Sequence, residues 1–240
     1  MKAGLLICDH VLPELIHIQG EYLDMFQKLL PGLDLIPYYV CDGEFPEEVN
    51  DMELYICTGS RYSVYDDIPW IQKLANFVKD IYHSGTLFVG VCFGHQMMAH
   101  ALGGKVEKAK SGWSIGVHQF EIIDPLPWML PSEKDINLLM MCQDQVLKLP
   151  PEGQVIAKTA TCPVGMFTIG EHFLGVQAHP EYSKAYNQEL YNLRRKLIGI
   201  NTIEKANATL NLPLNRDTVA NWIMNFVSQA FNPGLLRPAP

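Results

Sequence analysis

Two short segments of the 240-residue chain concentrate side chains that can do covalent chemistry. The first reads Gly90-Val91-Cys92-Phe93-Gly94-His95-Gln96 and follows the apolar run Thr86-Leu87-Phe88-Val89. Such a run reads as a buried central strand, and the stretch from about Gly94 to Gly103-Gly104 reads as a helix. A cysteine at that junction is lifted above the sheet on a sharp, strained turn. Glycine two residues before and two after it lets neighbouring backbone pass close by. The helix N-terminus adds partial positive charge and free N–H groups, which favour thiolate over thiol. Phe93 N–H would then face an oxyanion forming on the attacked carbon. Ordinary packing is the competing reading, since a lone cysteine is often simply buried.

The second segment is Ala178-His179-Pro180-Glu181, after the strand-like Phe173-Leu174-Gly175-Val176-Gln177. Residues two apart in extended chain point to the same side, and Pro180 resists helix. Glu181 can therefore steady the His179 ring while His179 takes the thiol proton. Taken alone, His179 could equally be a hydrogen-bonded core histidine. A nucleophile turn upstream and a carboxylate two residues on favour the catalytic reading.

Positioning these groups requires a sheet with helices on both faces. Through the first hundred residues strand-like and helix-like segments alternate, the pattern of a parallel sheet. Leu5–Cys8, Leu35–Val40 and Leu54–Cys57 read as strands, with Thr58-Gly59-Ser60 as the turn after the third. A helix is expected from Pro13 to about Leu30. Another is expected with Asp67 as N-cap, Pro69 in its first turn and Gly85 as its stop. From Val117 to Gln177 short β-like runs indicate hairpins or an added antiparallel edge. Helices return at Lys184–Ile200 and Thr218–Phe231. The expected fold class is α/β: three layers, a mostly parallel central sheet with flanking helices and a small antiparallel β addition. Residues 1–240 read as one domain, with 232–240 an irregular tail.

Composition narrows the function classes. Eighteen Lys and Arg against 26 Asp and Glu leave a net charge of −8, which argues against binding nucleic acid or an anionic membrane. The run Arg194-Arg195-Lys196 reads as a solvated helix face. The N-terminal apolar run is too short for a signal h-region, and no stretch approaches the length of a membrane span. The six cysteines lie far apart without a C-x-x-C pair, a pattern of reduced thiols in a cytoplasmic protein. His10, His17 and His172 lack the spacing of a metal site, and no phosphate loop suits ATP. Neither a metal nor another cofactor is expected. His95 and His100 read as packing or exposed helix residues.

The Gly90–Gln96 turn together with the late His179-Pro180-Glu181 resembles the class I glutamine amidotransferase family, which carries G-x-C-x-G-x-Q and H-P-E. The likeness covers roughly Lys2 to Glu181. It implies that Cys92 attacks the glutamine carbonyl and releases ammonia, leaving a γ-glutamyl thioester that water cleaves. By the same resemblance, His179 is base and then acid, and Glu181 orients it. Gly59 N–H joins Phe93 N–H in the oxyanion hole. Gln96, Met141 and Cys142 belong to the substrate pocket, Cys142 as lining where the family has a histidine. Where synthetase-linked members read G-G-P, this chain has Thr58-Gly59-Ser60-Arg61-Tyr62. That departure, with Tyr65-Asp66-Asp67 and Pro69-Trp70-Ile71, is similar to a standalone branch of GMP-synthase-like proteins and γ-glutamyl peptidases. Three functions follow as expectations. One is a self-contained hydrolase of small γ-glutamyl compounds or glutamine. Another is a glutaminase subunit delivering ammonia to a synthetase partner. The weakest is a non-catalytic binding protein on the same fold.

Overall fold

The apolar runs of the N-terminal half become neighbouring parallel strands. A computed structural model describes residues 1–231 of the protein; the anticipated tail at 232–240 lies outside them. Numbered in chain order, β1 (Lys2–Leu6), β2 (Asp34–Tyr38), β3 (Leu54–Cys57) and β4 (Leu87–Val91) pair in parallel, and β11 (Phe173–Val176) joins β4. Both faces of these strands are covered, which is why β3 and β4 are apolar throughout. Beyond β11 the sheet continues antiparallel through β10 (Met166–Ile169), β9 (Gly153–Lys158), β6 (Ser114–Ile122) and β7 (Asp135–Cys142). The complete order is β2-β1-β3-β4-β11-β10-β9-β6-β7. A separate two-stranded antiparallel sheet pairs β5 (Lys105–Lys108) with β8 (Asp144–Lys148). The expected architecture is therefore the one the chain builds.

Strand alternation divides the core into two layers. Leu5, Ile7, Val89 and Val91 face one side with Phe26 of α2 (Tyr22–Leu29) and Trp222 of α8 (Arg216–Phe231). Leu6, Cys8, Tyr55 and Phe88 face the other with α3 (Pro69–Ser84) and α4 (Phe93–Ala101), through residues such as Leu74, Val78 and Met97.

Element ends differ from the sequence expectations at three places, each for a local reason. The helix expected from Pro13 to Leu30 is two helices, α1 (Ile16–Gln19) and α2, because Gly20 takes φ +81° between them. Its N–H still reaches Ile16 O, and a capping box of Glu21 and Asp24 starts α2. Ile68, not Asp67, precedes α3 as N-cap; the Asp67 carboxylate instead accepts from Gln72 Nε2 at 2.6 Å. The C-terminal helical stretch breaks into α5 (Lys184–Leu193), α6 (Arg195–Ile198) and α7 (Ile200–Thr209), with Arg194 at the first bend.

Candidate active site

Three adjacent strands of the parallel half deliver the candidate residues. β3 ends at Cys57 beside Gly90 of β4, and β4 ends at Val91 beside Val176 of β11. The next residues of each chain segment, Thr58-Gly59, Cys92 and Gln177-Ala178-His179, therefore emerge together at the carboxyl edge of the sheet. That edge is where open α/β sheets bind ligands. Cys92 N–H donates to Val176 O at 2.8 Å, tying the cysteine to the strand that leads to His179.

The turn at Cys92 has the strain its sequence implies. Cys92 is a non-glycine residue at φ +52° and ψ −97°, directly before the first turn of α4. The flanking glycines have no substitute there. A Cβ at Gly90 would lie 2.4 Å from the backbone of Gly94, and one at Gly94 would lie 2.3 Å from Cys57 O. Gly94 N–H donates to Thr58 O at 3.2 Å, joining the turn to the β3 loop. Neither Gly59 N–H nor Phe93 N–H meets an acceptor among the described residues. Gly59 also sits against the reactive side chains: a Cβ there would approach His179 Cε1 to 2.8 Å and Cys92 Cβ to 3.7 Å.

His179 and Glu181 form a buried pair, 3% and 0% exposed by side chain. His179 Nδ1 donates to Glu181 Oε1 at 2.6 Å, which leaves Nε2 for the cysteine. The ring stacks on Tyr182, with 4.1 Å between centroids and planes 4° apart. Gln19 at the end of α1 holds this segment from outside. Its Nε2 donates to Glu181 O, and its Oε1 accepts from Ser183 N at 2.8 Å. Burial draws the His179 pKa down. The negative charges of a neighbouring Cys92 thiolate and of the Glu181 carboxylate outweigh burial and lift it to about 10. A proton thus resides on His179 at neutral pH whenever Cys92 is a thiolate.

A cleft of about 180 Å³ opens over Cys92, below the roughly 300–1,000 Å³ of a drug-sized pocket. Gln96, Met141 and Cys142 line it. Gln96 Nε2 donates to Asp144 O at 2.8 Å and to Gln177 Oε1 at 3.1 Å, bracing one wall. Burial, and after it the neighbouring Cys92, push the Cys142 thiol well up, which suits lining rather than nucleophile.

Several charged lining groups escape a reading of the sequence. The Asp144 carboxylate accepts from Ser63 Oγ at 2.5 Å and Tyr65 O–H at 3.1 Å. Arg61 is paired with Asp9 at 2.8 Å. Arg194, read above as part of a solvated face, is a correction: it lines the cleft, while Arg195 and Lys196 are exposed. The signal for Asp144 was an acidic residue next to the pocket segment; for Arg194 no local signal existed. His95 is fully buried against Gly175, and burial lowers its pKa to about 3, so it is a packing residue. His10 has neighbours that its spacing conceals. Its Nε2, Cys41 Sγ and an Asp42 oxygen lie within 4.8 Å of one another, and the His10–Asp42 hydrogen bond at 2.9 Å accounts for that contact.

Comparison with known proteins fits this geometry. Residues 46–198 match the family described as glutamine amidotransferase class-I. The chain belongs to that family. Within the class I amidotransferases, it is 32% identical over 203 residues to γ-glutamyl peptidase 3 of Arabidopsis thaliana, covering 80% of this chain and 76% of the relative. It is 30% identical over 174 residues to a glutamine-hydrolysing GMP synthase of Caldanaerobacter subterraneus, 70% of this chain but 32% of that protein. A crystal structure of a glutamine amidotransferase from Thermotoga maritima superposes with a TM-score of 0.72 at 18% identity, covering 96% and 97% of the two chains. This protein is thus a hydrolytic enzyme of the class I amidotransferase kind. Among the described residues no helix is long and apolar enough to cross a membrane.

Proposed function

We propose that this protein cleaves the γ-glutamyl amide bond of small γ-glutamyl compounds through a covalent thioester on Cys92. The observation that carries the reading is the convergence of Cys92, the His179–Glu181 pair and two free N–H groups at adjacent strand ends.

In this reaction the Cys92 thiolate adds to the γ-carbonyl carbon, and the carbonyl oxygen takes up negative charge towards Gly59 N–H and Phe93 N–H. His179 then gives its Nε2 proton to the leaving nitrogen, the carbon–nitrogen bond breaks, and the amine departs. With glutamine that amine is ammonia. Neutral His179 next accepts a proton from water as the water attacks the thioester, restoring thiolate, imidazolium and free glutamate. Glu181 supports the imidazolium in both halves. The Asp144 carboxylate has the charge to receive the substrate's α-ammonium group, beside the walls formed by Gln96, Met141 and Cys142. A reactive thiolate and free cysteines suit a reducing compartment such as the cytoplasm.

Similarity to the γ-glutamyl peptidase, which extends over most of both chains, favours γ-glutamyl peptides and amines over free glutamine alone. The purified chain should release glutamate from glutathione or γ-glutamyl amines. Acid quenching should trap a γ-glutamyl adduct at Cys92 by mass. Absence of glutamate release from any γ-glutamyl compound would overturn the proposal. Similarity to the GMP synthase favours a second reading, ammonia supply to a synthetase partner. It predicts rapid glutamine hydrolysis only when such a chain is added.

A further inference from the structure

Four basic side chains stand near the catalytic histidine or the mouth of the cleft: His10, Arg61, Lys108 and Arg194. Two are balanced, His10 by Asp42 at 2.9 Å and Arg61 by Asp9 at 2.8 Å. Lys108 and Arg194 have no acidic partner among the described residues; Lys108 is exposed, whereas Arg194 is partly buried. A guanidinium withdrawn from water without a counter-charge is a costly arrangement. Placed in a cleft, it is poised for a carboxylate supplied by a ligand.

The position of Arg194 says which part of the ligand. It lines the cleft over Cys92 and also the adjoining depression walled by His179, Tyr182 and Tyr186. Its charge is felt at the Tyr186 hydroxyl, where it opposes the upward push of burial and of Glu181. In the proposed reaction His179 protonates the leaving nitrogen, so the leaving group must lie on the His179 side. Gln96 and Asp144 line the cleft over Cys92 but not that depression, so the γ-glutamyl end is assigned to their side. The bend between α5 and α6 turns Arg194 inward while Arg195 and Lys196 stay exposed.

We infer that Arg194 is a specificity residue that binds a carboxylate on the leaving group, making γ-glutamyl amino acids and peptides better substrates than neutral γ-glutamyl amides. This rests on the reading of the protein as a γ-glutamyl hydrolase. The test uses two compounds that differ by one charge, γ-glutamylglycine and γ-glutamylglycinamide, assayed by glutamate release with the wild type and with Arg194→Ala, Arg194→Lys and Arg194→Glu. The wild type should favour the acid in kcat/KM by about tenfold, and added salt should shrink that ratio. Arg194→Ala should bring the ratio near one, chiefly through KM for the acid. Arg194→Lys should keep part of the preference, and Arg194→Glu should invert it. Equal losses on both compounds would overturn the inference, because Arg194 would then be serving the γ-glutamyl half. A wild type that cleaves both equally well would also overturn it while leaving the hydrolase reading intact. A wild type that releases glutamate from neither compound, nor from glutamine, would remove the hydrolase reading and this inference with it.

Discussion

The two halves of the nine-stranded sheet divide the work. The parallel half, β2-β1-β3-β4-β11, brings Gly59, Cys92 and His179 to one edge through strand register alone. The antiparallel half and its attachments, β7, the β5–β8 ribbon and the α5–α6 bend, supply Met141, Cys142, Asp144 and Arg194 as walls. The parallel half positions the candidate reacting groups through the paired ends of β3, β4 and β11. The other half needs only to present charge and shape. Damage to the first should appear in kcat and damage to the second in KM.

The largest break in this contrast is Cys92→Ala, which should lower kcat by at least about 10⁴-fold with the fold retained by circular dichroism. Near-normal turnover would remove Cys92 as nucleophile. Glu181→Gln comes next, with a loss of about 10²–10⁴-fold in kcat and a distinctive pH signature. Glu181 helps lift the His179 pKa to about 10, so removing its charge must lower it. The alkaline limb of kcat/KM should accordingly move to lower pH, and an unmoved limb would deny Glu181 that role. The same raised value makes a linked stability. It is full below the ordinary histidine pKa of about 6.5 and fades as pH climbs through 10.

Gly59→Ala sharpens the comparison, since it touches positioning rather than chemistry. The added methyl would sit 2.8 Å from His179 Cε1, and the displaced ring should cost about 10²-fold in kcat with little change in KM. An unaffected kcat would show that the imidazole has room to spare. The smallest effect belongs to the recognition half. Asp144→Asn should raise KM for γ-glutamyl substrates about 10- to 100-fold and leave kcat nearly alone. A fall in kcat without a change in KM would make the Asp144 carboxylate a brace for Ser63 and Tyr65 instead of a binding group.

The same division explains how much was legible in the residues. β1, β3, β4 and α3 announce themselves through unbroken apolar runs, helical periodicity, Pro69 and Gly85. Cys92 and His179-Pro180-Glu181 are legible because reactive side chains occupy positions that only a sharp turn or an extended segment creates. The β5–β8 ribbon hides for a physical reason. Lys105-Val106-Glu107-Lys108 turns a single apolar side chain, Val106, inward, too little pattern to mark a strand. Gly20 conceals the break between α1 and α2, because a glycine within an apolar pattern is tolerated as often as it interrupts. Arg194 was beyond reach altogether. Its place in the cleft depends on the bend between α5 and α6, while its neighbours give the signature of an exposed face.

The place of β11 in the sheet also governs when the enzyme becomes dangerous to itself. β11 lies between β4 and β10, and the histidine that follows it comes 87 residues after the cysteine it is proposed to activate. A growing or partly folded chain that has formed β1 to β4 has no imidazole beside Cys92 to take its proton. Only insertion of β11 beside β4, a pairing of segments distant in the chain, brings the imidazole to the sulfur.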